Sequence, residues 1–217
     1  MKPLSLACGL ALALVLTASA PMALAHQGGA ATASASSSTT APKLHEAMRS
    51  LWQGHVTHTT AYTAAVKSGD QAAAKKAADD VVANAKQIAG AVAGFYGKPA
   101  GDQMLTLLAG HWGGVKALTD AAHSGDKAGE QKAMQDLSAN ATAIAKFLSG
   151  ANPNLPEATV QGLLMMHAAD HQAQITDIMA GDTAKEAQVW THMQAHMNTI
   201  ADALAGAIAK QFPDKAS

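Results

Sequence analysis

LWQGH at residues 51–55, LLAGH at 107–111 and LLMMH at 163–167 are the same five-residue pattern met three times, each 56 residues after the last. The register holds without gaps on both sides. Leu51/Leu107/Leu163, His55/His111/His167, Gly69/Gly125/Gly181, Asp70/Asp126/Asp182, Ile88/Ile144/Ile200 and Gly94/Gly150/Gly206 are identical columns, with several alanine columns beside them. A period of this length predicts one supersecondary unit repeated, each copy too small to bury its apolar face alone.

Within each copy a Gly-Asp pair (SGD at 68–70, SGD at 124–126, AGD at 180–182) punctuates the chain. Glycine closes one helix in a left-handed turn and aspartate caps the next. Each copy is therefore expected to be an antiparallel helical hairpin, and proline-bearing segments join one hairpin to the next. The resulting expectation is an all-α six-helix bundle of three 56-residue hairpins (about 44–99, 100–155 and 156–211). Its helices are placed near 43–67, 70–96, 99–123, 126–150, 156–179 and 182–211. The first helix of each hairpin is termed A and the second B.

Residues 1–25 have a lysine, an apolar run and an Ala-Leu-Ala ending. That is the build of a secretory signal cut after Ala25, and small residues with Pro21 interrupt the run before it reaches the ~20 residues a spanning helix needs. A periplasmic or secreted location follows, with no membrane attachment after cleavage. The one cysteine, Cys8, lies in that segment, so the exported chain is expected to have no disulfide and no thiolate ligand. Residues 26–41 are small and polar and are read as a disordered leader, and 42–217 as the bundle. Without Lys2 there remain 14 basic and 16 acidic residues (15 − 1 against 16). This balance gives no reason to expect nucleic acid or an anionic membrane as partner, and no protein partner is indicated.

On the A helices, steps of four and three select Met48, Leu51, His55, Thr59 and Tyr62, then Met104, Leu107, His111, Val115 and Leu118, then Val160, Leu163, His167, His171 and Gln174. On the B helices they select Val81, Asn84, Ile88 and Val92, then Leu137, Asn140, Ile144 and Leu148, then Met193, His196, Ile200 and Leu204. His55 lies 14 residues before Gly69 and Asn84 lies 15 after it, so both stand ~21 Å from the turn. One layer is thus expected to hold His55, His111, His167 and His196 with Asn84 and Asn140. A second layer, one turn nearer the loops, collects His58, His171, Asp170, Asp80, Asp136 and His192. Met165, Met166, Met193 and Met197 should flank both.

A lone histidine on a core seam is usually a hydrogen-bonded core residue, and methionines at helical spacing are usually filler. Several imidazoles at one level are another matter, because each buried unsatisfied group costs ~1–3 kcal/mol and a shared cation satisfies many at once. Candidate metal ligands are His55, His111, His167, His196, His171 and His192, with Asn84 and Asn140 orienting the rings. Di-iron carboxylate chemistry is excluded because no Glu-x-x-His occurs, and the zinc-protease motif is absent. Imidazole with thioether sulfur in an exported chain points first to copper, then to zinc. Non-covalent haem on His or Met axial ligands is the alternative cofactor, and a metal-free structural or interaction bundle is the third reading. An open three-histidine site could activate water, but only Asp170 stands near enough to act as a base, so no catalytic residue is assigned. His26, the expected mature N-terminus, would add an amine-imidazole copper chelate.

The strings LWQGHVTHT, ANAKQIAG with FYG, ANATAIAKFLSGANPN and ADALAGAIAKQFPDK resemble a bacterial family of small helical proteins with LWxxHVxxT and GIxKQFP motifs, over nearly all of residues 44–215. Members often carry an acidic residue before the repeated histidines, where this chain has Gly54, Gly110 and Met166. That departure implies a softer ligand character here. The resemblance implies no activity.

Overall fold

The computed structural model describes residues 41–216. The expected signal segment, Cys8, His26 and the leader up to residue 40 lie outside the described residues. Among the latter there are six helices and no strand: α1 (Pro42–Ser68), α2 (Gln71–Tyr96), α3 (Lys98–Ser124), α4 (Lys127–Ala151), α5 (Glu157–Ala180) and α6 (Thr183–Gln211). None is long and apolar enough to cross a membrane.

The punctuation acts as its chemistry requires. Gly69, Gly125 and Gly181 sit at φ 74°, 73° and 74°, a backbone state that costs a Cβ-bearing residue ~1 kcal/mol or more. Asp70, Asp126 and Asp182 then accept from the amides of Ala73, Gly129 and Lys185 at 2.9, 3.0 and 3.1 Å. The side-chain caps satisfy amides that the first turn of each following helix leaves unpaired.

Each helix packs against its neighbours in chain order and α6 returns to α1, which closes a ring. α1, α3 and α5 also touch one another, so these three parallel helices form the inner layer while α2, α4 and α6 fill the grooves between them. The last closure is polar: Arg49 grips Asp202 with Nε (2.9 Å) and Nη2 (2.5 Å), His45 Nδ1 joins it at 2.8 Å, and Gln53 Nε2 donates to Gln194 O at 2.9 Å. The main apolar core runs from Met48, Trp52 and Met104 through Ile144, Leu164, Met197 and Ile200.

Most of the expected seam is buried, with three corrections. Trp52 and Leu164 are buried where Leu51 and Leu163 are only partly so. An α-helix turns by 3.6 residues per turn rather than 3.5, so a strict four-three stripe drifts by one position in a straight helix. Met166, expected beside the polar layers, is 50% exposed. The leader gives up its last residue: Ala41 is buried against Ala209 and Ala216 and caps α1.

Candidate metal centre

His55 on α1, His111 on α3 and His167 on α5 converge where the three inner helices meet. Their ring centroids lie 5.3 Å (His55–His111), 5.6 Å (His55–His167) and 5.5 Å (His111–His167) apart. A fourth ring, His171, stands 5.6 Å from His55, 5.6 Å from His111 and 4.3 Å from His167. One nitrogen from each of the four can be chosen so that all lie within 4.8 Å of one another. All four side chains are buried.

Sequence reasoning placed His171 one turn too low. Cα–Cβ bonds in a helix tilt toward its N-terminus, so His171, one turn after His167 on the same face, swings its ring back into the layer. The 56-residue equivalents of His171 are Thr59 and Val115, both buried. Thr59 Oγ1 is satisfied by the His55 and Val56 carbonyls of its own helix. Only α5 therefore supplies two imidazoles.

His196 stays outside the group of four. Its Nε2 lies 2.8 Å from the Leu163 carbonyl, as Asn84 Nδ2 lies 3.0 Å from the Leu51 carbonyl and Asn140 Nδ2 2.9 Å from the Leu107 carbonyl. The level assigned to these B-helix residues was sound, but α2, α4 and α6 form the outer layer. Their polar seam residues reach the backbone of an inner helix and stop there. The two asparagines thus hold the backbone one turn before His55 and His111 rather than the imidazoles themselves. His192 is exposed, and its Nδ1 pairs with Asp170 Oδ1 at 3.0 Å. The expected second layer is therefore dispersed: His192 with Asp170, His58 with Asp80 at 4.0 Å, and Asp136 paired outward with Lys132.

The electrostatics of the cluster follow from burial. Desolvation, with a smaller contribution from the His111 and His58 rings, pushes the His55 imidazole down to about 3, and desolvation pushes His111 down to about 4. His167 and His171 are held well below the ordinary imidazole value, first by burial and then by the other imidazoles around them. At neutral pH all four are neutral and offer lone pairs. Five of their ring nitrogens, His55 Nε2, His111 Nε2, both of His167 and His171 Nε2, are buried without a hydrogen-bond partner. Leaving such a group unpaired costs ~1–3 kcal/mol. Each neutral ring carries one N–H and one lone pair, so a cation could satisfy one nitrogen of each of the four rings.

The chemistry open to this donor set is narrow. Four imidazoles suit zinc, copper, nickel and iron, with metal–nitrogen bonds near ~2.0–2.1 Å in a tetrahedral zinc site. Compared with protein-family models, with curated proteins and with solved structures, the chain gives no match.

Proposed function

We propose that this protein is an exported metal-binding helical bundle that holds one ion, copper first, on His55, His111, His167 and His171, for storage, delivery or resistance. The observation that carries the reading is the meeting of four buried imidazoles, each with at least one ring nitrogen that is buried without a hydrogen-bond partner. Copper stands first because it heads the divalent series at nitrogen sites, and zinc fits the same donors. Haem is less well supported, since the rings are in contact with one another and a macrocycle needs a flat slot beside its axial ligand. Export to the periplasm or beyond rests on the build of residues 1–25. No group in the cluster has the position of a general base, so the reading is of a binding protein.

The same proposal includes the origin of the bundle in three copies of one 56-residue hairpin. Its support is the matching of contacts at that spacing. Three B-helix side chains bind the carbonyl 33 residues earlier, and Thr63 meets Thr119, 56 residues away, hydroxyl to hydroxyl at 3.3 Å.

Elemental analysis of protein purified from the periplasm, with Cu(I), Cu(II) and Zn(II) titrations, tests the function. One ion per chain is expected, with affinity reduced ~100-fold or more by His55→Gln or His111→Gln, a larger loss than supporting residues produce. His196→Asn is expected to leave stoichiometry unchanged. A chain that takes up no metal, or whose uptake ignores both glutamine substitutions, would sink the reading.

A further inference from the structure

Among the B helices only α6 carries histidines, and three positions change together on its hairpin. Met166, His192 and His196 stand where α1/α2 have Gly54, Asp80 and Asn84, and where α3/α4 have Gly110, Asp136 and Asn140. Each brings a thioether or an imidazole to a place that has neither in the other hairpins. None of the three belongs to the buried group of four.

The hydrogen bonds of the two rings fix which nitrogen is free. His192 Nδ1 lies 3.0 Å from Asp170 Oδ1, and His196 Nε2 lies 2.8 Å from the Leu163 carbonyl. A carboxylate and a carbonyl only accept, so these nitrogens carry the protons, and the neutral rings keep their lone pairs on His192 Nε2 and His196 Nδ1. Such bonds also orient a ring and make it a better ligand. The rings stand one helical turn apart, with an interplanar angle of 3° and centroids 6.1 Å apart. An ion ~2 Å from one nitrogen of each ring spans centroids ~6 Å apart. His192, whose side chain is mostly exposed, has the rotamer freedom to turn its free edge toward such an ion. Asp170, whose Oδ2 is buried without a partner, sets a negative charge behind it. Met166 supplies a third atom. In the first two hairpins the equivalent glycine lies against the asparagine amide, so the same register sets the Met166 stem beside His196. Met166 is half exposed and outside the core cluster.

We propose that Met166, His192 and His196 form a second metal site, facing solvent, for a soft ion of the Cu(I) class. A thioether with two imidazoles is a softer set than four imidazoles, which favours the monovalent ion over zinc. The two sites share no ligand, so either can fail without the other. With three ligands in contact with water the surface site holds its ion more weakly, and desalted protein retains only the central one.

Ag(I), an air-stable ion of the same charge and softness, tests the site on the full mature chain carrying ¹³C-labelled methionine methyls. The Met166 resonance, identified by its loss in Met166→Leu, should move saturably. The affinity of this step should fall at least ~tenfold in Met166→Leu, His192→Gln and His196→Asn. Met166 and His192 are exposed, so their variants should remain folded. The movement should persist in His55→Gln/His111→Gln, which lacks the centre. A Met166 resonance that stays still while the central histidines respond would overturn the surface site and leave the centre standing. Movement that ignores both histidine substitutions would reduce the binding to a lone methionine and overturn the shared site. Movement lost together with the central pair would overturn the independence of the two sites.

Discussion

The first two helix pairs and the third solve the same structural problem with different residues. In α1/α2 and α3/α4 an asparagine binds a carbonyl of the inner helix, and a glycine lies beneath its amide. A Cβ on Gly54 would sit 2.9 Å from Asn84 Nδ2, and one on Gly110 would sit 3.0 Å from Asn140 Nδ2. In α5/α6 histidine reaches the equivalent carbonyl and Met166 replaces the glycine. The longer imidazole donates from farther out, which leaves room for a Cβ below. Flanking ion pairs are exchanged too: His58 on α1 faces Asp80 on α2, while Asp170 on α5 faces His192 on α6. The difference that reaches the centre is Thr59 and Val115 against His171. The lesson is that scaffold positions can change in compensating pairs, whereas the fourth imidazole is an uncompensated departure from threefold likeness and points to the ligand.

Acid should produce the largest effect. Folded protein keeps the four imidazoles neutral, down to about 3 for His55 and about 4 for His111, while the unfolded chain titrates near 6.5. Below 6.5 the unfolded state takes up protons that the folded state refuses, so stability falls as pH falls. The loss is ~1.4 kcal/mol per histidine at pH 5.5, or about 5 kcal/mol for four. Metal-free protein should therefore melt far lower at pH 5.5 than at 7.5, and calorimetry across that window reads the loss. In His171→Val the pH slope should fall by about a quarter. A slope unchanged by that substitution would place His171 outside the cluster that titrates.

His171→Val also copies the α3 arrangement at Val115, and its second effect is next in size. Metal affinity should fall ~100-fold or more, about 2.7 kcal/mol. Metal-free protein should gain ~1–2 kcal/mol, because a buried imidazole with an unpartnered nitrogen gives way to an apolar side chain. Opposite signs for the loaded and metal-free forms, read by thermal melts with and without metal, distinguish a ligand from a core residue. If both forms lose stability together, packing is the whole role of His171.

Much of the fold was legible because its signals are local. Gly-Asp pairs mark three turns, and every helix boundary lies within one or two residues of the expected one. The three histidines were legible because they recur at a spacing of 56 residues in the sequence and stand on parallel helices. What remained hidden depends on radial position and side-chain direction. Level arithmetic puts His196 in the histidine layer and His171 one turn below it, yet His196 lies on an outer helix and ends on a carbonyl while His171 swings back to the axis.

The Gly/Asn and Met/His pairs should be exchangeable only together. His196→Asn alone brings a shorter amide against a backbone that carries a Cβ, so the bond to the Leu163 carbonyl is lost at a cost of ~1–2 kcal/mol. Met166→Gly alone should cost ~1 kcal/mol through helix propensity. The double variant, which reproduces the α1/α2 pairing, should be no less stable than Met166→Gly by itself. Denaturant titration of the four proteins gives the coupling energy. Simple additivity would break the claim that glycine is required by the asparagine above it.

The smallest effect concerns the exchanged ion pairs. Asp170 is largely buried, with a side-chain exposure of 11% against 36% for Asp80, but its partner His192 is 57% exposed. A pair with one solvated member is worth ~1 kcal/mol or less. Asp170→His places an imidazole against His192, and His192→Asp places a carboxylate against Asp170, so each single change should cost ~0.5–1 kcal/mol near neutral pH. Together they rebuild the order found on α1 and α2, histidine inside and aspartate outside, and should recover most of that loss. The recovery should fade at high salt, which screens a half-exposed pair. If the double variant is instead as unstable as the sum of the singles, the two sites are not equivalent. Asp170, whose Oδ2 is buried without a partner, would then owe its place to something other than His192.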